Sequence, residues 1–314
     1  MDNKIGFIGL GNVGSKVANN ILKNGYKLYV HDLNKNLSKA LILKGAIWCN
    51  SIEQLIKNTS VFITCLPSPK SVTKVISSSL PFIDNHHLWI EMSTTDEEDM
   101  KFLSTKFLEK KAKVIEAPIT GGQHRAESGN IAILVGGERE SFNRAFPILS
   151  CIGHKILHCG KIGNASTLKV VTNYLASINL LAIGEALMVC KKYGIDLKTA
   201  FDGIKISSGN SFVHETESQV ILNGSYDVGF TMDLVCKDLG LFDKLTKKYE
   251  IPAELSTLIN SIFQNGRKLY GERAFSTSIV RILEDQCNEN LRSESFPSFL
   301  EDKEEKKDGE EVKV

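Results

Sequence analysis

Seven short apolar runs alternate with helix-length segments over the first half of the chain, and this alternation most limits what it can fold into. The runs are Ile5–Gly9, Lys27–His31, Val61–Leu66, Leu88–Glu91, Lys113–Glu116, Ile131–Val135 and Lys155–Leu157. Between the first two, Val13, Val17, Ala18, Ile21 and Leu22 recur at the spacing of one buried helix face. Continuous apolar strands separated by helices predict βαβ units and a mostly parallel, doubly wound sheet covered on both faces. After Gly163 the strand signals stop. Ala165–Tyr193 runs without proline and is apolar around much of its circumference, which predicts a long helix buried on several sides. Helical patterns continue over Leu197–Ile206, Phe230–Lys248, Ala253–Asn265 and Ser276–Glu289. The expected organisation is therefore an α/β domain over 1–163 and an all-α domain over 164–296 that begins with a long interdomain helix. In the remaining segment, 297–314, 11 of the last 14 residues are charged. Such a stretch has too little apolar surface to offset the entropy of ordering, and disorder is expected there.

Composition narrows the partners. The 38 Lys and Arg residues against 37 Asp and Glu give a formal net charge of +1. That balance offers no electrostatic case for nucleic acid or an anionic membrane. The seven cysteines are scattered, with no C-x-x-C pair, so neither a zinc site nor a disulfide framework is expected. No run of about 18 apolar residues suggests a membrane span. A cytoplasmic location follows as the expectation.

The turn after the first run reads Gly9-Leu10-Gly11-Asn12-Val13-Gly14. A lone G-x-G-x-x-G is a weak signal, but this one follows a strand, opens a helix, and is followed 18 residues later by Asp32 at the end of the next strand. That context is the dinucleotide fingerprint of a Rossmann domain. Gly9 permits the tight turn, Gly11 lets the backbone approach a pyrophosphate, and Gly14 allows close packing of the helix. A pyrophosphate then faces the helix N-terminus. Asp32 accepts hydrogen bonds from a ribose diol and repels a 2′-phosphate, which favours NAD over NADP; Lys35 nearby would blunt that preference.

Two further elements suggest chemistry. Thr120-Gly121-Gly122 follows the strand Lys113–Glu116, where ligands of open α/β sheets bind. Its backbone N–H groups could cradle a carboxylate, or the glycines could be an ordinary turn. Lys169 and Asn173 are an i, i+4 pair on the long apolar helix. A lysine there either serves as general acid or base at a reacting oxygen, or packs its stem while its head reaches solvent.

The chain resembles the β-hydroxyacid dehydrogenases, the 3-hydroxyisobutyrate dehydrogenase-like family, which is related to 6-phosphogluconate dehydrogenase. Gly6-Phe7-Ile8-Gly9-Leu10-Gly11 resembles the family's opening, with Val13 where methionine is usual. Cys65-Leu66-Pro67 resembles the loop past the adenosine, and Glu91-Met92-Ser93-Thr94-Thr95 the strand end near the nicotinamide. Ala117-Pro118-Ile119-Thr120-Gly121-Gly122, with Gly129-Asn130-Ile131 and Val135-Gly136-Gly137, resembles the substrate signature. Gly160 to Asn173 resembles the segment of the catalytic lysine, and Lys237-Asp238-Leu239 the motif whose lysine closes over the cofactor.

The resemblance implies an oxidoreductase that exchanges a hydride between NAD and a small β-hydroxyacid/semialdehyde pair, with Lys169 as general acid and base. Thr120, Gly121, Gly122 and Asn173 would hold the substrate carboxylate. Gly9, Leu10, Gly11, Asn12, Val13, Gly14, Asp32, Leu66, Pro67, Thr94 and Lys237 would bind the cofactor, with no metal. A homodimer or homotetramer built through the helical domain is implied as well. Other readings are an NAD(P)H-dependent reductase of small aldehyde acids such as glyoxylate, succinic or tartronate semialdehyde, and a non-catalytic dinucleotide-binding module. Asp32-Leu33 counts against the first and Lys169 against the second. A 6-phosphogluconate dehydrogenase would need a longer helical domain, and an imine reductase usually lacks the lysine. Arg125 stands where the family usually has glycine. It is either a solvated side chain or a cation at the pocket mouth that would favour a second anionic group.

Overall fold

The strands of the computed structural model, which describes residues 3–314, follow the apolar runs closely. They are Lys4–Ile8 (β1), Lys27–His31 (β2), Ile47–Trp48 (β3), Val61–Thr64 (β4) and Leu88–Glu91 (β5). Then come Lys113–Glu116 (β6), Ile119–Thr120 (β7), Ile131–Gly137 (β8), Gly153–His158 (β9) and Glu310–Val312 (β10). The order β3-β2-β1-β4-β5-β6 is parallel throughout, the doubly wound arrangement. β8 then runs antiparallel to β6 and carries the short β7, while β9 and β10 extend the sheet in parallel with β8. Helices α1 (Gly14–Lys23), α2 (Lys39–Leu43), α3 (Ile52–Asn58), α4 (Pro69–Ser79), α5 (Glu97–Glu109), α6 (Gly122–Ser128) and α7 (Arg139–Leu149) connect these strands.

Side chains of a strand alternate between faces, and here both faces are buried. Ile5, Phe7, Ile63, Ile90 and Ile115 enter one apolar cluster. Their neighbours Ile8, Phe62, Trp89 and Val114 enter another, with Phe107 of α5. This double burial is why these strands read as unbroken apolar runs. β3 and β7, two residues each, were too short to register as runs.

The chain divides into two compact units: the described residues up to Lys169 together with Asp302–Val314, and Val170–Glu301. The division falls inside a helix, not at Gly163, because the first turn of that helix packs with the sheet unit. The charged tail is the larger departure. Disorder was the expectation for 297–314, yet β10 pairs with β9 in the register Glu310↔Lys155, Glu311↔Ile156 and Val312↔Leu157. A strand added to a sheet edge is held by main-chain bonds and needs no apolar side chains. Its charges are matched locally: Arg139 donates to Glu311 at 2.6 Å, and Lys155 pairs with Glu310. Upstream, Asp302 accepts from Ser128 (2.6 Å) and Asn130 (3.1 Å), and Asn130 Oδ1 accepts from the Lys307 N–H at 2.9 Å. Gly309 lies so close to Ser150 that a Cβ would sit 2.6 Å from its Cα.

The second unit is helical: the rest of α8 (Asn164–Tyr193), then α9 (Leu197–Lys205), α10 (Phe212–Asn223), α11 (Met232–Lys248), α12 (Glu254–Tyr270) and α13 (Arg281–Cys287). α10 was not anticipated, since its apolar residues lack a clean period. It is delimited by local signals, a Ser211 N-cap accepting from the His214 N–H at 3.0 Å and a left-handed Gly224. The segment from Ser276 begins as a 3₁₀ turn before α13. Tyr226, Glu284 and Arg292 form a clasp in which Arg292 donates to Glu284 at 2.8 Å and to the Tyr226 hydroxyl at 2.7 Å. α8 is long and apolar enough to cross a bilayer by length and composition, but Lys169, Asn173, Asn179 and Glu185 interrupt it. The several-sided burial expected for it is not met within one chain: Leu175 is 50% and Val189 70% exposed.

Candidate active site

The turn after β1 is fixed by close backbone approaches. Gly9 has φ +100°, and a Cβ on it would lie 2.3 Å from the Cys65 carbonyl at the end of β4. β1 and β4 are the strands at which the sheet order reverses, the point where such folds bind ligands. A Cβ on Gly14 would lie 2.1 Å from the Gly9 carbonyl, so α1 can start there only as glycine. Around Gly11, by contrast, nothing lies within 4 Å of that position, which leaves the backbone open to an approaching group. α1 begins without a side-chain cap, leaving its positive end to a ligand. Asp32 accepts from the Leu10 N–H at 2.7 Å through one oxygen and from the Asn34 N–H at 2.8 Å through the other. The fingerprint turn and Asp32 are thereby one rigid piece. An open glycine over an uncapped helix end, beside a carboxylate with lone pairs to spare, fits a dinucleotide. Asn12 is exposed and Val13 half-buried in the same turn.

The expected loops lie along neighbouring strand ends. Leu66 donates its N–H to Ser93 Oγ at 2.8 Å, and the Ser93 N–H donates to Glu91 Oε1 at 2.5 Å, just before Thr94. Pro67 is exposed. Glu91 itself is fully buried and also takes a bond from Thr64, whose hydroxyl accepts from the Trp89 indole at 2.7 Å. Burial pushes its carboxyl up to about 7; bonds from Ser93 and Thr64 pull it down and the charge of Glu116 raises it further.

Thr120 ends β7, and Gly121 and Gly122 follow with φ +126° and +83°. Two successive residues in this region would strain any L side chain, which accounts for the glycine pair. The stem of Arg125 lies over Gly121, and its head is 3.5 Å from Glu304 of the tail. Lys169 is 7% exposed in the second turn of α8. In the second unit, Asn173 donates to Asp238 Oδ2 at 2.6 Å and Lys237 to Asp238 Oδ1 at 2.5 Å. Tyr174 stacks on Phe242 at 3.8 Å, fixing α8 against α11 at this level. The described residues contain no cluster of His, Cys, Asp and Glu able to hold a metal, and all seven cysteines are unpaired.

Comparison with known proteins decides the family. Residues 4–160 match the NAD binding domain of 6-phosphogluconate dehydrogenase, and residues 163–283 the NAD-binding family of NADP-dependent 3-hydroxyisobutyrate dehydrogenase. The chain is 31% identical to 2-(hydroxymethyl)glutarate dehydrogenase of Eubacterium barkeri, covering 90% of this chain and 95% of that one. It is also 31% identical to the mitochondrial 3-hydroxyisobutyrate dehydrogenase of Drosophila melanogaster, over 83% of each. The solved structure of Mycobacterium tuberculosis 3-hydroxyisobutyrate dehydrogenase with L-serine superposes with a TM-score of 0.82 at 26% identity, covering 90% of this chain and 99% of that one. The chain belongs to the β-hydroxyacid dehydrogenase family. A β-hydroxyacid dehydrogenase is an oxidoreductase that uses a nicotinamide dinucleotide and acts on a CH–OH group, and the helical second half is part of that family's match.

The sequence reading missed a set of buried carboxylates in this β-hydroxyacid dehydrogenase. Glu91 organises the Leu66 and Ser93 loops, Glu116 takes bonds from the start of α8, and Asp238 holds both Asn173 and Lys237. The usable signal was a Glu or Asp at the end of an apolar run or within an apolar helix face.

Glu91 predicts a pH dependence of stability. Its folded pKa of about 7 lies above the ordinary 4.5, so the folded chain holds the proton more tightly. Stability present below pH 4.5 is then lost as pH rises through about 7. Glu91→Gln should therefore gain melting temperature relative to wild type between pH 5 and pH 8, and melting curves that stay parallel across that range would refute the assignment.

Proposed function

We propose that this chain interconverts a small 2-substituted 3-hydroxypropanoate and its semialdehyde. The carrying observation is chemical. 3-Hydroxyisobutyrate, 2-(hydroxymethyl)glutarate and L-serine, which appear in the names of the relatives, all contain the unit HOCH₂–CH–COO⁻. The reacting carbon is a primary alcohol one carbon removed from a carboxylate. When bound, the dinucleotide supplies the hydride acceptor for oxidation and the donor for reduction.

The chain's own residues do the rest. Lys169 Nζ takes the hydroxyl proton as the alcohol is oxidised and returns it to the carbonyl oxygen on reduction, with electrostatic stabilisation of the alkoxide between. The family resemblance gives the substrate carboxylate to Asn173 and the backbone of Thr120–Gly122, and the hydroxymethyl carbon is one carbon removed from it. Gly9 to Gly14, Asp32, Leu66, Pro67, Thr94 and Lys237 hold the cofactor. NAD is favoured over NADP because Asp32 is fixed by two backbone N–H groups. Lys35 does not offset it, since its ammonium sits 5.6 Å over the Trp48 ring. Seven unpaired cysteines support a reducing compartment, the cytoplasm.

The exposed side of α8 supports self-association. Leu175, Ala182 and Val189 are exposed at seven-residue intervals, an apolar stripe suited to a second copy of the same helix. Val189→Glu should shift the assembly toward smaller species in sedimentation, and an unchanged distribution would remove this face from the interface.

Kinetics test the cofactor and the lysine together. With 3-hydroxyisobutyrate or L-serine, kcat/KM should favour NAD by at least about tenfold, roughly 1.4 kcal/mol. Equal or reversed preference would overturn the role given to Asp32. Lys169→Ala should lower kcat by about 10²–10⁴-fold with NAD affinity little changed. Lys169→Arg should fail as well, because guanidinium does not release its proton near neutral pH. A folded, NAD-binding Lys169→Ala protein with wild-type turnover would refute the mechanism.

A further inference from the structure

Glu116 is the least explained group in the first unit. It stands at the end of β6, is fully buried, and is not part of any expected binding set. A carboxylate in such a place is costly unless several donors meet it. Here three do. Oε1 accepts from the Gly163 N–H at 2.8 Å and the Ala165 N–H at 2.7 Å, and Oε2 accepts from Ser166 Oγ at 2.6 Å. All three donors belong to the entry and first turn of α8.

The partner strand makes room for this. Gly136 on β8 pairs opposite Glu116, and a Cβ there would lie 2.3 Å from Glu116 Oε1. Gly163 enters the helix with φ +96°, and Asn164 fastens the same turn by donating to the Cys159 carbonyl at 2.7 Å. The cap of α8 therefore comes from a strand nearly fifty residues earlier instead of from a neighbouring side chain. Ser166, the residue that contacts Oε2, lies three positions before Lys169 and thus on the adjoining part of the same helix face. Ser166 is 2% exposed and Lys169 7%.

We infer that Glu116 is the positioning residue for Lys169: through the Gly163, Ala165 and Ser166 donors it sets the rotation and height of the first turn of α8, and so the place of the lysine amine. The inference rests on the reading of Lys169 as the proton-transfer group. Burial pushes the Glu116 carboxyl above its ordinary range, while the bonds from Ser166, Ala165 and Gly163 pull it back down. A misplacement of about 1 Å at a reacting group can cost on the order of 10²-fold in rate, so a cap of this kind carries kinetic weight.

The test uses the full chain with NAD and 3-hydroxyisobutyrate. Glu116→Ala removes the acceptor for all three donors and should lower kcat at least about tenfold, with KM for NAD within about twofold of wild type. Glu116→Gln can still present its oxygen to the two N–H groups and its amide to Ser166 Oγ, so it should restore kcat to within about threefold. Ser166→Ala removes one bond and should lower kcat by about threefold; it settles the matter if Glu116→Ala does not fold. In a Lys169→Ala background the same substitutions should have no further effect on the residual rate, because the residue they position is gone. Wild-type kcat in folded Glu116→Ala and Ser166→Ala, or an equal loss with and without Lys169, overturns the inference. A Lys169→Ala protein with full turnover shows separately that the underlying reading of the lysine has failed.

Discussion

The contact on which the first unit turns is the buried Glu116 carboxylate meeting the start of α8. A sheet and a long helix that merely pack through apolar surface can slide by fractions of an ångström. A carboxyl group with three directed donors cannot, because moving any of them leaves a buried oxygen or a buried donor unsatisfied. Side-chain room is the other half of that constraint. Gly136 occurs where it does because any larger residue would occupy the volume of the carboxylate. The Val135-Gly136-Gly137 run thus acquires a local reason, and so does Gly137, whose added Cβ would fall 2.9 Å from Ile115 Cγ2.

Close approach governs the other end of the unit in the same way. Gly9 nests against the Cys65 carbonyl, Gly14 against the Gly9 carbonyl, and Asp32 ties back to the Leu10 N–H. The first two are approaches of main chain to main chain and the third is a carboxylate on a backbone N–H, and together they leave little freedom to the strand ends that they join. Openness is confined to Gly11, where nothing approaches. The result is a rigid frame with one accessible stretch of backbone above an uncapped helix end, which is the arrangement an anionic pyrophosphate requires.

What the sequence revealed, and what it did not, follows from the range of the interactions. The β1–α1–β2 unit was legible because its determinants lie within about thirty residues and depend on residue types with few alternatives, glycine at turns and aspartate at a strand end. The parallel sheet was legible because its strands are unbroken apolar runs, and the long helix because an apolar segment there continues without proline. Glu116, Glu91 and Asp238 escaped as functional residues because each owes its role to partners far along the chain: Ser166 for Glu116, Thr64 for Glu91, Asn173 for Asp238. The tail escaped for a different reason. Composition measures the apolar surface a segment can bury, whereas β10 is held by ladder bonds to β9 and by local charge matching with Lys155 and Arg139. α10 fell between these cases, with recognisable caps around a weakly periodic interior.

Asp238 shows how the second unit uses the same device with opposite partners. A carboxylate 4% exposed within an apolar helix face is stable only if cationic or amide donors reach both of its oxygens. Lys237 supplies one and Asn173 the other, so the price of burying Asp238 is met by two residues that the family resemblance assigns to ligand binding. The geometry that stabilises the fold then also selects their rotamers. Asn173 commits one of its two amide hydrogens to Asp238, which orients the amide plane. Replacing Asp238 by a neutral residue would take an acceptor from both side chains at once, and the loss would be felt in orientation before it was felt in charge. Buried carboxylates in this protein are therefore best understood as fixtures that hold basic and amide groups at set angles. Glu91 does this with its carboxyl pushed up to about 7 by burial.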